Sequence, residues 1–167
     1  TEEEERQRLA TAVAALAARL PVPISADTAR AGPAGAAIDA GATVVNDVTG
    51  LGDERLARLA AERRVSMVLM ASPAAARAGN VAIDAADPVG TVRACLAASL
   101  SRALAAGIPA DRIVLDPGVG FFREAPEARV DWDVRVVAGL GTLAALGRPL
   151  AVGVSRKSFI GAITDRR

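Results

Sequence analysis

Ile113-Val114-Leu115-Asp116-Pro117-Gly118-Val119-Gly120 contains, in eight residues, the pattern that decides the fold. A short aliphatic run closed by an aspartate and a Pro-Gly turn reads as a strand over 113–116, apolar on both faces as in a parallel sheet covered by helices. Pro88, at a helix N1 position, opens a long helix ending at Gly107 before this strand, and a helix over about 131–146 with Gly147 as its stop comes after it. Outward from this unit the alternation repeats. Strands are expected over 22–27, 43–48, 65–70 and 150–154, and helices over 2–19, about 29–40, and 53–64, with another starting at Ser158. The Ala/Gly-rich stretch through Asp87 reads as a loop.

Five βα cycles with no linker make a single α/β domain over 1–167. No Gly-x-Gly-x-x-Gly follows a strand and no Walker motif occurs, so a dinucleotide or P-loop fold has no support. Instead, Asp27, Asn46, Asp116 and Lys157 stand at the carboxyl ends of four strands, where βα barrels assemble active sites. A barrel is therefore expected. A closed one takes about 250 residues and eight strands, so the expectation is a partial (β/α)8 TIM barrel of about five parallel βα units, lacking its first two strands and its last.

Composition narrows the chemistry. The 167 residues are 51% hydrophobic, enough for one buried core. Twenty basic residues balance 19 acidic ones and aromatics are 2%, so neither a field for nucleic acid or anionic membrane nor a base-stacking surface is expected. With no histidine and Cys95 as the single cysteine, Ser-His and Cys-His nucleophiles, histidine zinc sites and disulfides are excluded, and a reducing compartment fits. No apolar run approaches the roughly 18 residues of a membrane span, and the acidic start is unlike a signal peptide. A cytoplasmic location is the expectation.

Every basic residue but one is arginine, and the exception is Lys157. A compact ammonium can approach a ring nitrogen or carbonyl where a guanidinium fork cannot. Two carboxylates, an amide and an ammonium at one mouth make a hydrogen-bonding cage for a flat, nitrogen-rich heterocycle such as a pterin or purine. Any one such aspartate is explained by a helix cap or a turn; four polar strand ends together are not. Asp47, next to Asn46, should face the opposite side and is read as structural. Gly118 and Gly120 permit a sharp turn or close ligand approach, Phe121 is placed to cover an aromatic edge, and Met70 supplies an apolar wall. Ser155-Arg156-Lys157-Ser158 opens a helix, so its N–H groups and the Ser158 hydroxyl suit a carboxylate or phosphate.

These stretches, Ile24-Ser25-Ala26-Asp27-Thr28, Val45-Asn46-Asp47-Val48, Val68-Leu69-Met70, Leu115 to Phe121 and Gly153 to Gly161, resemble the ordered motifs of dihydropteroate synthase. The resemblance covers essentially the whole chain, and its last two motifs are the specific ones. It implies a βα barrel and a transferase of folate biosynthesis. That enzyme joins 6-hydroxymethyl-dihydropterin pyrophosphate to para-aminobenzoate and releases pyrophosphate with the help of magnesium. By resemblance, Asp27, Asn46, Asp116 and Lys157 would hold the pterin, with Val48 and Met70 as walls. Phe121 and Ser158 would meet the aminobenzoate, and Lys157 and Asp116 would be catalytic. Mg2+ is expected as cofactor from the family alone, since the loop that places metal and pyrophosphate has no counterpart here; no metal ligand is assigned in this chain.

Two further departures matter. Ala71-Ser72 stands where the family commonly has His-Met, and Arg123 where a lysine is usual. The expectation is thus an internal piece of a synthase, inactive alone, and a homodimer is one assembly the resemblance leaves open. A non-catalytic synthase-like paralogue is an alternative. Another is the pterin-binding domain of a corrinoid methyltransferase, which shares the Asp and Asn positions but has an Asn-containing stretch where this chain has Ser-Arg-Lys-Ser.

Overall fold

Alternate residues of each strand are buried, and that alternation explains the architecture of the computed structural model, which describes residues 1–122, 126–155, 157 and 159–161. The order is α1 (Glu2–Ala17), β1 (Ser25–Asp27), α2 (Ala31–Asp39), β2 (Val44–Asp47), α3 (Glu54–Arg63), β3 (Ser66–Met70), α4 (Pro73–Ala78) and α5 (Pro88–Ala105). A 3-10 turn (Ala110–Arg112), β4 (Ile113–Asp116), α6 (Pro126–Ala138) and α7 (Leu140–Ala144) follow. Local chemistry sets the helix ends. Thr1, Asp53, Ser72 and Asp87 accept N–H bonds in the first turns of α1, α3, α4 and α5, and proline follows at N1 in the last two.

The four strands pair in chain order, β1-β2-β3-β4, all parallel. Ala26, Val45, Met67, Leu69, Ile113 and Leu115 are buried, while Asp27, Asn46, Val68, Val114 and Asp116 on the other parity are not. One sheet face therefore packs on helices and the opposite face stays open. A doubly wound sheet reverses its strand order and covers both faces. Sequential order with one covered face is an arc of a βα barrel.

The core lies between the covered face and the helices. On α5, Thr91, Val92, Cys95, Leu96, Ser99 and Ala103 recur at helical spacing and are buried against β3 and β4. A smaller cluster, Val13, Ile24, Ala26, Ala37 and Ala42, seats α1 and α2 on β1. Arg102 of α5 ties the periphery together: its guanidinium donates to the Gly50 carbonyl at 2.6 and 3.0 Å and to the Ala78 carbonyl at 3.3 Å. Burial pulls its pKa down, and the nearby Asp47 charge pushes it back up.

Four expectations need correction. The strand over 150–154 is a single bridge, Leu115 to Leu150, with Leu115 N–H donating to Pro149 and Ala151 N–H to Leu115, each at 2.9 Å. The next bond of a parallel ladder would come from residue 117, a proline without an N–H, so pairing stops there and the described residues form four strands in place of five. The stretch read as a loop to Asp87 contains α4, because Ser72 caps it and Pro73 starts it. The helix over 131–146 starts earlier, at Pro126, and is divided at Gly139 into α6 and α7. The first strand is also shorter than 22–27, with Val22 57% exposed.

Leu96 is fully buried and Leu104, two turns on in the same helix, is 46% exposed. Leu96→Ala is expected to cost about 2–5 kcal/mol of stability and Leu104→Ala less than about 0.5 kcal/mol, measured by chemical denaturation.

Candidate active site

Strand register is what brings the candidate residues to one end. Asp27 is the partner of Asn46, and Asn46 of Val68; Met70 is the partner of Asp116. Asp27, Asn46 and Asp116 share the parity of the open face, at the last or next-to-last residue of their strands. Asp27 is exposed, Asn46 and Asp116 are partly buried, and Met70 is 3% exposed.

Asp47 lies on the opposite parity and is fully buried. Its carboxylate accepts from Thr49 N–H at 2.8 Å, Thr49 hydroxyl at 2.7 Å and Leu51 N–H at 2.5 Å, so it folds the loop after β2. Its role is structural, as the alternation implied. Val48 sits at the start of that loop, and its carbonyl accepts the Ser72 hydroxyl at 2.6 Å. Ser72 also caps α4, accepting Ala75 N–H at 3.0 Å. One hydroxyl thus joins the β2 and β3 ends.

After β4 the chain makes the tightest turn of the site. Ala71 N–H donates to the Asp116 carbonyl at 2.8 Å, and Gly118 packs so close that a Cβ there would lie 1.8 Å from the Ala71 carbonyl oxygen. Gly118 has φ +67 and Gly120 φ +84, a region that side chains with a Cβ avoid. Asp116 Oδ1 accepts Gly118 N–H at 2.8 Å. Burial pushes the Asp116 carboxyl above its usual range, while the Gly118 bond and the Lys157 charge pull it back.

Lys157 completes the group. Its Nζ stands 5.0 Å from the centre of the exposed Phe121 ring, a cation–π contact, and its chain lies along Gly120. Asp27, Asn46, Val48, Met70, Asp116, Phe121 and Lys157 are therefore all at the carboxyl ends of the strands or in the segments that follow them. Ser158, like Arg156 and Arg123, lies outside the described residues.

Such an end offers carboxylate and amide acceptors, one ammonium donor, and an aromatic face beside the ammonium. Magnesium wants several oxygen ligands in octahedral array. No group of three or more acidic, Cys or His side chains suited to a metal is found among the described residues, and the Lys157 charge acts on Asp116, so the described residues do not make a magnesium cage.

One residue of consequence was missed in the sequence. Asp133, on α6, is 1% exposed and accepts the Gly120 N–H at 2.8 Å. The available signal was its place beside Trp132 and Val136 on the apolar face of a helix, where a carboxylate requires a partner.

The family model for pterin binding enzymes matches residues 1–167. The dihydropteroate synthase of Synechocystis is 36% identical over 164 residues, covering 98% of this chain and 55% of that protein. The Xanthomonas albilineans dihydropteroate synthase solved with 4-aminobenzoic acid superposes with a TM-score of 0.87 at 34% identity, over 100% of this chain and 57% of that one. The same enzyme in complex with 7,8-dihydropteroate gives a TM-score of 0.86, also at 34% identity, over 100% of this chain and 59% of that one. The chain thus spans about half the length of the curated relatives it matches. With the whole chain matched and the strand-end residues gathered on one open face, the chain belongs to the pterin binding enzyme family.

Proposed function

We propose that this chain forms the pterin- and aminobenzoate-facing part of a dihydropteroate synthase, a transferase of folate biosynthesis. It would condense 6-hydroxymethyl-dihydropterin pyrophosphate with para-aminobenzoate. The observation that carries the reading is the register that sets Asp27, Asn46, Met70 and Asp116 together at one end of the sheet, with Lys157 held over Phe121. Relatives that bear this name match almost the whole chain, which supports it further.

In this reading the Asp116 carboxylate accepts the paired N–H donors of the pterin edge, with Asn46 and Asp27 completing the array and Val48 and Met70 as walls. The bond from the pterin methylene to pyrophosphate breaks with its electron pair leaving on the pyrophosphate oxygen. A carbon–nitrogen bond to the arylamine forms and the amine loses a proton. Preorganised dipoles and the fixed placement of the two rings supply the acceleration, with Phe121 against the aminobenzoate and Lys157 between the two substrates. Histidine is not needed. Ser158, by resemblance, would take the aminobenzoate carboxylate. Magnesium remains a family expectation that no step here uses. A cytoplasmic location and a homodimer belong to the same proposal; among the described residues no helix is long and apolar enough to cross a membrane.

Calorimetric titration of the protein with the pterin pyrophosphate and then with 4-aminobenzoate tests the reading. Asp116→Ala and Lys157→Arg are each expected to weaken pterin binding by roughly 10-fold to 100-fold, the scale of a hydrogen bond to a charged group. A folded protein that binds neither substrate would sink the proposal.

The carboxyl of Asp116 is raised by burial, so its contribution to stability is greatest below the ordinary carboxylate pKa and declines as pH rises through the raised one. Asp116→Asn keeps the acceptor for Gly118 and removes the ionisation. The Tm difference, variant minus wild type, should be more positive at pH 7 than at pH 3 in thermal melts, and a difference independent of pH would contradict the assignment.

A further inference from the structure

We infer that Asp133 is a positioning residue for the aminobenzoate side of the site, an inference that rests on the synthase reading. Two carboxylates grip alternate amides of one turn: Asp116 holds Gly118 N–H and Asp133 holds Gly120 N–H, both at 2.8 Å. The first is open to a ligand on the uncovered face. The second is 1% exposed within α6, thirteen residues along the chain, and cannot meet one.

Burying a carboxylate costs free energy that an alanine on the same helix face would not, and its hydrogen bonds must offset that cost. What the Gly120 bond fixes is the orientation of one peptide. Gly120 is in the left-handed region, and a Cβ there would lie 3.1 Å from Lys157 Cδ and 3.4 Å from its Nζ. The Lys157 side chain therefore rests on that backbone. Phe121 follows directly, its N–H returning to the Gly118 carbonyl at 3.0 Å and its ring lying 5.0 Å from Lys157 Nζ.

Beside this bond, Trp132 stacks on Phe122 with ring centres 4.8 Å apart. The stack supplies contact area between α6 and the turn, and the Asp133 bond supplies direction. Rotation of the Gly120 peptide would move the lysine's resting surface and the Phe121 ring together. It would leave Asp27, Asn46 and Met70 in place, because sheet register holds those. The consequence is selective. Lys157 meets both substrates and Phe121 only the aminobenzoate, so Asp133 tunes the geometry met by the arylamine more than that met by the pterin.

The test compares Asp133→Ala with Asp133→Asn, whose amide oxygen can still accept the Gly120 N–H. Two readouts are used: hydrogen exchange of the Gly120 amide without substrate, and calorimetric binding of the pterin pyrophosphate and of 4-aminobenzoate. The alanine variant is expected to lose Gly120 protection and to raise the Kd for 4-aminobenzoate about tenfold, with a smaller rise in the pterin Kd. The asparagine variant should keep both near wild type. Unchanged Gly120 exchange in the alanine variant, equal losses for both substrates, or an asparagine variant as impaired as the alanine one would each overturn the inference. If wild type binds neither substrate, it is the synthase reading that fails, whatever the exchange data show. Should the alanine variant not fold, the asparagine variant decides: unchanged protection and 4-aminobenzoate affinity support the role, and loss of either refutes it.

Discussion

The parallel ladder is the constraint on which the rest of the molecule depends. Side chains alternate across a strand with a period of two, so a shift of one residue would move a whole set to the other face. Here the observed register places apolar residues of four strands against the helices and leaves the other parity open. Asp27, Asn46 and Asp116 sit on that open parity because Ala26, Val45 and Leu115 need the covered one. Site geometry and hydrophobic burial are two results of one register.

Around the ladder, buried polar groups organise the segments that the sheet does not reach. Asp47 folds the loop after β2 by accepting three hydrogen bonds, and Arg102 fastens that loop to α4 and α5 through carbonyl oxygens. Ser72 joins the ends of β2 and β3, and Asp133 joins α6 to the turn after β4. Asp47, Ser72 and Asp133 are buried and Arg102 is half-buried. Such placement keeps the open face available to a ligand while its loops are held from behind.

Much of this was legible in the chain. The Asp-Pro-Gly-Val-Gly turn, the strand-end carboxylates and the isolated lysine all carry meaning at short range, where residue type and spacing act directly. The opposite faces taken by Asn46 and Asp47 followed from alternation alone. Other features depended on partners far along the sequence. That pairing beyond Leu150 stops becomes clear only once Leu115 pairs with Leu150, which makes Pro117 the next donor, and its missing N–H ends the ladder. Gly120, held by Asp133, and Gly50, held by Arg102, lie 13 and 52 residues away, distances at which spacing carries no information about contact. Helix α4 is different: Ser72 and Pro73 announce it, and the surrounding alanines and glycines obscured a readable cap.

By itself, then, the sequence determined a parallel α/β chain with polar residues at the carboxyl ends of its strands. Hydrophobic period and turn residues suffice for that, because they act within a few residues. The tertiary structure decided which of these ends meet and what holds them from behind: Lys157 over Phe121, Gly118 against Ala71, Asp133 on Gly120. Those relations follow from strand order and close packing, which are properties of the whole chain and are not written at any one position.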